Sequence, residues 1–181
     1  MEEAGVQFRL AMPEDAEQIR QAVRFTLANP EGRSVRKRYE DAVARQEVLV
    51  LSRYDPREKA NRVQGFVEWH TRVDGPVTIR DMGSTGDAPN AGILKRLLRE
   101  LIRMLQPPSA SAKVRADQEV FIGVFRETPG FTLEGQEYTR PHWRQIWTWT
   151  PEAERRMFAP PVRRAAPAFA GRPPARRRGE R

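Results

Sequence analysis

Residues 83–105, GSTGDAPNAGILKRLLRELIRML, begin as a turn of small residues and finish as an amphipathic helix. Leu94, Leu97, Leu98, Leu101, Ile102 and Leu105 recur at helical spacing and form one broad apolar face, while Lys95, Arg96, Arg99 and Arg103 fall elsewhere. Pro107 and Pro108 stop the helix, because consecutive prolines cannot continue it. A glycine-bearing turn feeding a helix N-terminus leaves backbone N–H groups unpaired, and these favour an anion together with the helix dipole. Two residues of the same turn act against that use. Asp87 adds negative charge, and Pro89 lacks an N–H to donate.

Outward from this helix, the alternation in VQFRLAM (6–12) predicts a strand. PEDAEQIRQAVRFTLANP (13–30) reads as a helix, with proline in its first turn, Ile19, Val23 and Leu27 on one face, and a stop at Asn29 and Pro30. A second helix is expected over SVRKRYEDAVARQ (34–46), with Ser34 as N-cap and Val35, Tyr39 and Val43 inward. Strands follow in EVLVLSRY (47–54), VQGFVEWHTR (63–72) and GPVTIRDMGS (75–84), the last two joined by the turn signal VDGP. After the long helix, KVRADQ (113–118) reads as a short strand and EVFIGVFRETPGF (119–131) as a short helix closed by glycine. TLEGQEYTRPHWRQIWTWT (132–150) completes the body as an antiparallel pair.

At 181 residues the chain suits one domain, expected over 1–151, with a tail over 152–181. It has no cysteine and two histidines, which excludes disulfides, thiolate metal sites and a cysteine nucleophile and leaves no metal site expected. The net charge of +8 is unevenly placed: nine arginines against three glutamates from Glu152 onward give +6 and leave +2 for the body. The tail, rich in Pro, Ala and Arg, has too few large apolar residues to pack a core and is expected to be disordered in isolation. Arg172, Arg176, Arg177 and Arg178 could contact nucleic-acid phosphates or an acidic protein partner; the alternative is a solubilising terminus. No apolar run is long enough to span a membrane and the N-terminus is acidic, so the simplest expected location is a prokaryotic cytoplasm.

Tyr138, His142, Trp143, Trp147 and Trp149, interleaved with Arg140 and Arg144, suit either base stacking or a strand packed on a helix, and the alternation favours the core.

The order of elements, with FRLAMPEDAEQI, VTIRDMGSTGDAPNAGILKRLLREL and VRADQEVFIGVFRETPGF in sequence, resembles the GNAT superfamily of Gcn5-related acyltransferases over residues 6–150. The resemblance implies an α/β (α+β) fold: a mixed, mostly antiparallel sheet flanked by helices, its fourth and fifth strands splayed. It also implies acetyl-CoA or a related acyl-CoA as cofactor. The cofactor's pantetheine arm would lie near Asp81, Met82 and Gly83, and its pyrophosphate on the N–H groups of Asn90, Ala91, Gly92 and Ile93. In the family's loop pattern, Gly92 matches the first glycine, Leu94 stands at the second, and Pro89 replaces the usual amide or basic residue. The tyrosine that protonates the leaving thiolate in many members is missing: Phe125 and Arg126 stand before the GF turn.

Glu68 and His70, which alternate onto one face of their strand, and Asp81 at the end of the next are the candidate general bases for an attacking amine; the other reading is solvated surface groups. Two functions remain open on this sequence. One is an acyl-CoA-dependent N-acyltransferase with an amine acceptor. The other is a non-catalytic module of the same fold whose basic tail contacts nucleic acid or an assembly partner.

Overall fold

The computed structural model describes residues 5–32 and 37–160. Ser34, Val35 and the four tail arginines lie outside the described residues.

Strand β1 (Val6–Leu10) leads to helix α1 (Pro13–Ala22) and the short helix α2 (Glu40–Ala44). Strands β2 (Val48–Asp55), β3 (Ala60–Thr71) and β4 (Val77–Ser84) form a meander, and the long helix α3 (Ala91–Leu105) follows. Strand β5 (Ala110–Arg115), helix α4 (Glu119–Glu127), strands β6 (Phe131–Thr139) and β7 (His142–Trp149) and helix α5 (Pro151–Phe158) complete the described chain. One seven-stranded sheet runs in the order β1-β2-β3-β4-β5-β7-β6, antiparallel everywhere except at β4 and β5. The expected mixed, mostly antiparallel sheet flanked by helices is the one observed.

The sheet buries both faces. On one, Ile19 and Val23, with Tyr39 and Val43, pack on Val48, Val50 and Phe66. On the other, Leu94, Leu97, Leu98 and Leu101 of α3 and Phe121 and Phe125 of α4 pack on Leu51, Val67, Trp69 and Met82. Burying such side chains contributes roughly 1.5–3 kcal/mol each, so α3, with four leucines fully enclosed, is held by packing more than by its own helical preference.

Three expectations about elements change. The first helix ends at Ala22 rather than near Asn29. Residues 23–26 leave the helix and a tight turn over 26–29 follows, closed by hydrogen bonds between Thr26 and Asn29, from which Leu27 donates its N–H to Met82 of the sheet. The fifth strand starts at Ala110, not Lys113, since Ala110 and Ala112 are small enough to pack flat under the helices. Finally, Pro151–Phe158 forms a helix inside the stretch that composition assigned to the tail. Thr150 caps it by accepting the Ala153 N–H at 3.2 Å, and the Met157 sulfur accepts the Gly130 N–H at 3.2 Å.

The aromatic cluster divides. Trp147 and Trp149 are buried in the core, as the alternation favours, whereas Tyr138 and Trp143 sit opposite one another near the tip of the β6–β7 hairpin, both exposed.

Candidate functional site

Strands β4 and β5 pair over only three positions, Val77 with Ala110, Thr78 with Ser111 and Ile79 with Ala112. Beyond them, β5 stays with β7 while β4 stays with β3. The parting has a local cause. Glu68 of β3 faces Asp81 and Trp69 faces Ile79, so Arg80 is an extra residue in β4, a β-bulge that bends the strand.

The chain itself covers part of the edge this exposes on β4. Thr26 forms an isolated antiparallel bridge with Gly83, Leu27 donates its N–H to the Met82 carbonyl at 2.8 Å, and Ala28 donates to Asp81 Oδ1 at 2.9 Å. Glycine at 83 is what allows this approach. A Cβ there would stand 2.6 Å from Val23 Cγ1 and 3.1 Å from the Phe25 carbonyl oxygen. Thus Met82 and Gly83, both expected along the cofactor arm, are in contact with the segment 25–28. The sequence hides this contact, because the helical spacing of Ile19, Val23 and Leu27 runs on through the segment.

At the N-terminus of α3, Asn90 caps the helix: its Oδ1 accepts the Ile93 N–H at 3.1 Å, and its own N–H goes to Ser84 Oγ at 2.7 Å. Of the four N–H groups expected to face an anion, those of Asn90 and Ile93 are therefore taken. Those of Ala91 and Gly92 have no hydrogen-bond partner among the described residues. A Cβ on Gly92 would meet only the Asn90 side chain, at 3.3 Å, so the surface above it is open. The first turn of the helix carries no acid, which leaves its dipole uncompensated.

The three candidate bases occupy two settings. Glu68 and Asp81, directly opposite on β3 and β4, are buried beside the buried Tyr39 and the partly exposed Lys37. Asp81 Oδ1 also accepts the Met82 N–H at 3.0 Å, while Oδ2 accepts from Lys37 Nζ and from the Tyr39 hydroxyl, each at 2.9 Å. Lys37 Nζ lies 2.6 Å from Glu68 Oε2, so one ammonium serves two carboxylates. Burial, followed by the Asp81 charge, pushes the Tyr39 phenol well above its ordinary value, which keeps it a neutral donor. His70 stands apart from this cluster. Its side chain is 40% exposed, and Nδ1 lies 3.3 Å from Glu47 Oε1. Tyr39 was expected to face inward but not to meet Asp81, and Lys37 was not singled out, because their distance from Asp81 in the chain hides the contact.

Phe125, at the position where the family resemblance would place an acid, is fully buried and meets Phe131 edge to face, with centroids 5.2 Å apart. Among the described residues no group of His, Cys, Asp and Glu could hold a metal ion, and no helix is long and apolar enough to cross a membrane.

No protein-family model matches the chain, and no curated protein sequence does. Solved structures do match. The GNAT-family acetyltransferase of Streptococcus agalactiae superposes with a TM-score of 0.60 at 14% identity, over 81% of this chain and 96% of that one. The ribosomal-protein-S5-alanine acetyltransferase of Vibrio fischeri gives 0.58 at 14%, over 84% and 97%. YncA of Salmonella typhimurium, solved with its cofactor acetyl-CoA, gives 0.56 at 17%, over 81% and 94%. The bulged β4, its parting from β5 and the helix that follows make this the fold of the GNAT acetyltransferases.

Proposed function

We propose that the protein is an acyl-CoA-dependent N-acyltransferase that moves an acetyl group from acetyl-CoA to an amine. The observation that carries this reading is the parallel β4–β5 pair that ends at Ile79 and Ala112, followed in the chain by a helix with two open N–H groups. Backbone donors at a helix N-terminus suit a pyrophosphate, and the N–H groups of Ala91 and Gly92 are the ones that would hold it. At the strand the fit is narrower. Thr26 and Leu27 already engage Gly83 and Met82, so an arm pairing with that part of β4 has to replace the bridge.

Acetyl-CoA supplies a thioester: as the amine's C–N bond forms, the C–S bond breaks, one proton leaves nitrogen and one is taken by sulfur. For the proton from nitrogen we assign His70, whose side chain is 40% exposed, with the Glu47 carboxylate 3.3 Å from Nδ1. All four hydrogen bonds to Asp81, and the lysine against Glu68, suit those two carboxylates to holding the segment 25–28 and Lys37 in place. With Phe125 in the core, the proton for sulfur falls to water.

The test is thermal unfolding of the intact chain with acetyl-CoA. At 100 times its dissociation constant a ligand adds about 2.7 kcal/mol of stability. Ala91→Pro removes one open donor at the first helical position, where proline is tolerated, and Asn90 before it already has the extended backbone a following proline requires. The variant should keep the unliganded stability and bind acetyl-CoA roughly tenfold more weakly, the worth of one charge-assisted hydrogen bond. No stabilisation of the intact chain by acetyl-CoA rejects acyl transfer.

A further inference from the structure

Where β4 leaves β5, the sheet face that α1 and α2 cover further along carries a pocket of ≈ 430 Å³. Its floor is Thr78 and Ser111, Leu27 and Ala28 border it on one side and Ile146 on the other, and five cations line it: Arg72, Arg80, Lys113, Arg115 and Arg144. No acid lines it. At the rim, carboxylates engage some of these cations: Glu137 lies 2.8 Å from Lys113 Nζ, Asp117 and Glu31 lie 2.6 and 3.1 Å from Arg115, and Asp74 reaches Arg72 only at 3.7 Å.

The remaining two arginines differ from these. Arg80 is the bulge residue itself, exposed, and makes no ion pair among the described residues. Arg144 stands between Arg115 of β5 and Glu137 of β6 in register, and Glu137 spends its hydrogen bond on Lys113. The Nε of Arg144 is buried with no hydrogen-bond partner among the described residues. A buried donor on a charged group is costly to leave unmatched, and an acceptor entering the pocket removes that cost.

We propose that this pocket binds an anionic group, carboxylate or phosphate, carried by a small amine acceptor, with Arg80 and Arg144 as the residues that select it. The inference rests on the acyltransferase reading, since it is the position beside the parted strands that makes the pocket an acceptor site. Arg80 supplies, at the parting, a guanidinium that has no ion pair among the described residues. Arg144 supplies the orphaned donor behind it, and a planar guanidinium holds either anion through two parallel hydrogen bonds. The leucine and isoleucine walls suit a short aliphatic spacer between anion and amine.

Calorimetric titration of the full chain, without cofactor, uses phosphoethanolamine, β-alanine and ethanolamine, which share a primary amine and differ in the anion. Binding of phosphoethanolamine or β-alanine at least tenfold tighter than ethanolamine is expected, and the preferred one identifies phosphate or carboxylate. Arg80→Gln and Arg144→Gln should each weaken that binding roughly tenfold, as loss of a charge-assisted contact does. The first variant lies on the surface and keeps the fold, so a failure of the second to fold leaves the test intact. Both variants should retain the wild-type stabilisation by acetyl-CoA, which separates this outcome from failure of the acyltransferase reading. Equal affinity for ethanolamine, no measurable binding of either anion, affinity unchanged in Arg80→Gln, or displacement of the anion by acetyl-CoA overturns the proposal.

Discussion

Lys37 is a single ammonium between two buried carboxylates, 2.6 Å from Glu68 and 2.9 Å from Asp81. Removing one partner from such a set leaves uncompensated charge, which typically costs about 3–5 kcal/mol. Lys37→Met should therefore lower the stability of the whole chain by that order at neutral pH, read by chemical denaturation. A variant as stable as the wild type would show that the two carboxylates do not depend on Lys37. His70 offers a different single-residue test. His70→Ala should lower kcat for acetyl transfer by roughly two orders of magnitude, in the range of general-base losses, leave acetyl-CoA affinity unchanged and respond to added imidazole. An unchanged kcat removes His70 from the reaction. Glu68 and His70 were legible as sharing one face, because strand alternation is local; that they serve separate clusters was not, because Lys37 and Glu47 reach them from other elements.

The element that most changes the site is the segment 25–28, a bridge at Thr26 leading into a tight turn, on the edge of β4. A strand edge with unpaired groups attracts any backbone that can reach it, and here a segment of the same chain does so. Gly83→Ala tests the approach directly, since the added methyl would meet Val23 Cγ1 at 2.6 Å. Overpacking of this kind costs about 1–3 kcal/mol. The variant should lose that much stability and exchange the Leu27 amide proton faster, whereas wild-type protection at Leu27 would place the bridge elsewhere. The helical pattern carried through Leu27 in the sequence because Ile19, Val23 and Leu27 are all buried, as a helix would need. Their burial is real, yet Val23 and Leu27 reach opposite faces of the sheet, an outcome that spacing alone cannot show. By contrast α3 was legible almost to the residue, since its apolar period is strong and prolines end it.

For the whole molecule, the sequence by itself determined the order of strands and helices from β1 to β7 and the long helix after the fourth strand, but not the helix Pro151–Phe158. These follow from periodicity and turn residues, which act over a few neighbours. It also located the turn at residues 83–93 as an anion-binding candidate, although it counted four N–H donors where the Asn90 cap leaves two. The uneven charge of the chain was equally readable, being a property of composition. Only the tertiary structure decided which groups meet. The parting of β4 from β5 depends on one extra residue, Arg80, whose bulge appears only once β3 is set in register. The Lys37 cluster joins elements far apart in sequence. The cationic pocket gathers side chains from β4, β5 and β7, each an unremarkable alternating residue in its own strand. Local patterns encode which face a side chain takes, but its partner across the sheet is set by register and by the segments that compete for an open strand edge.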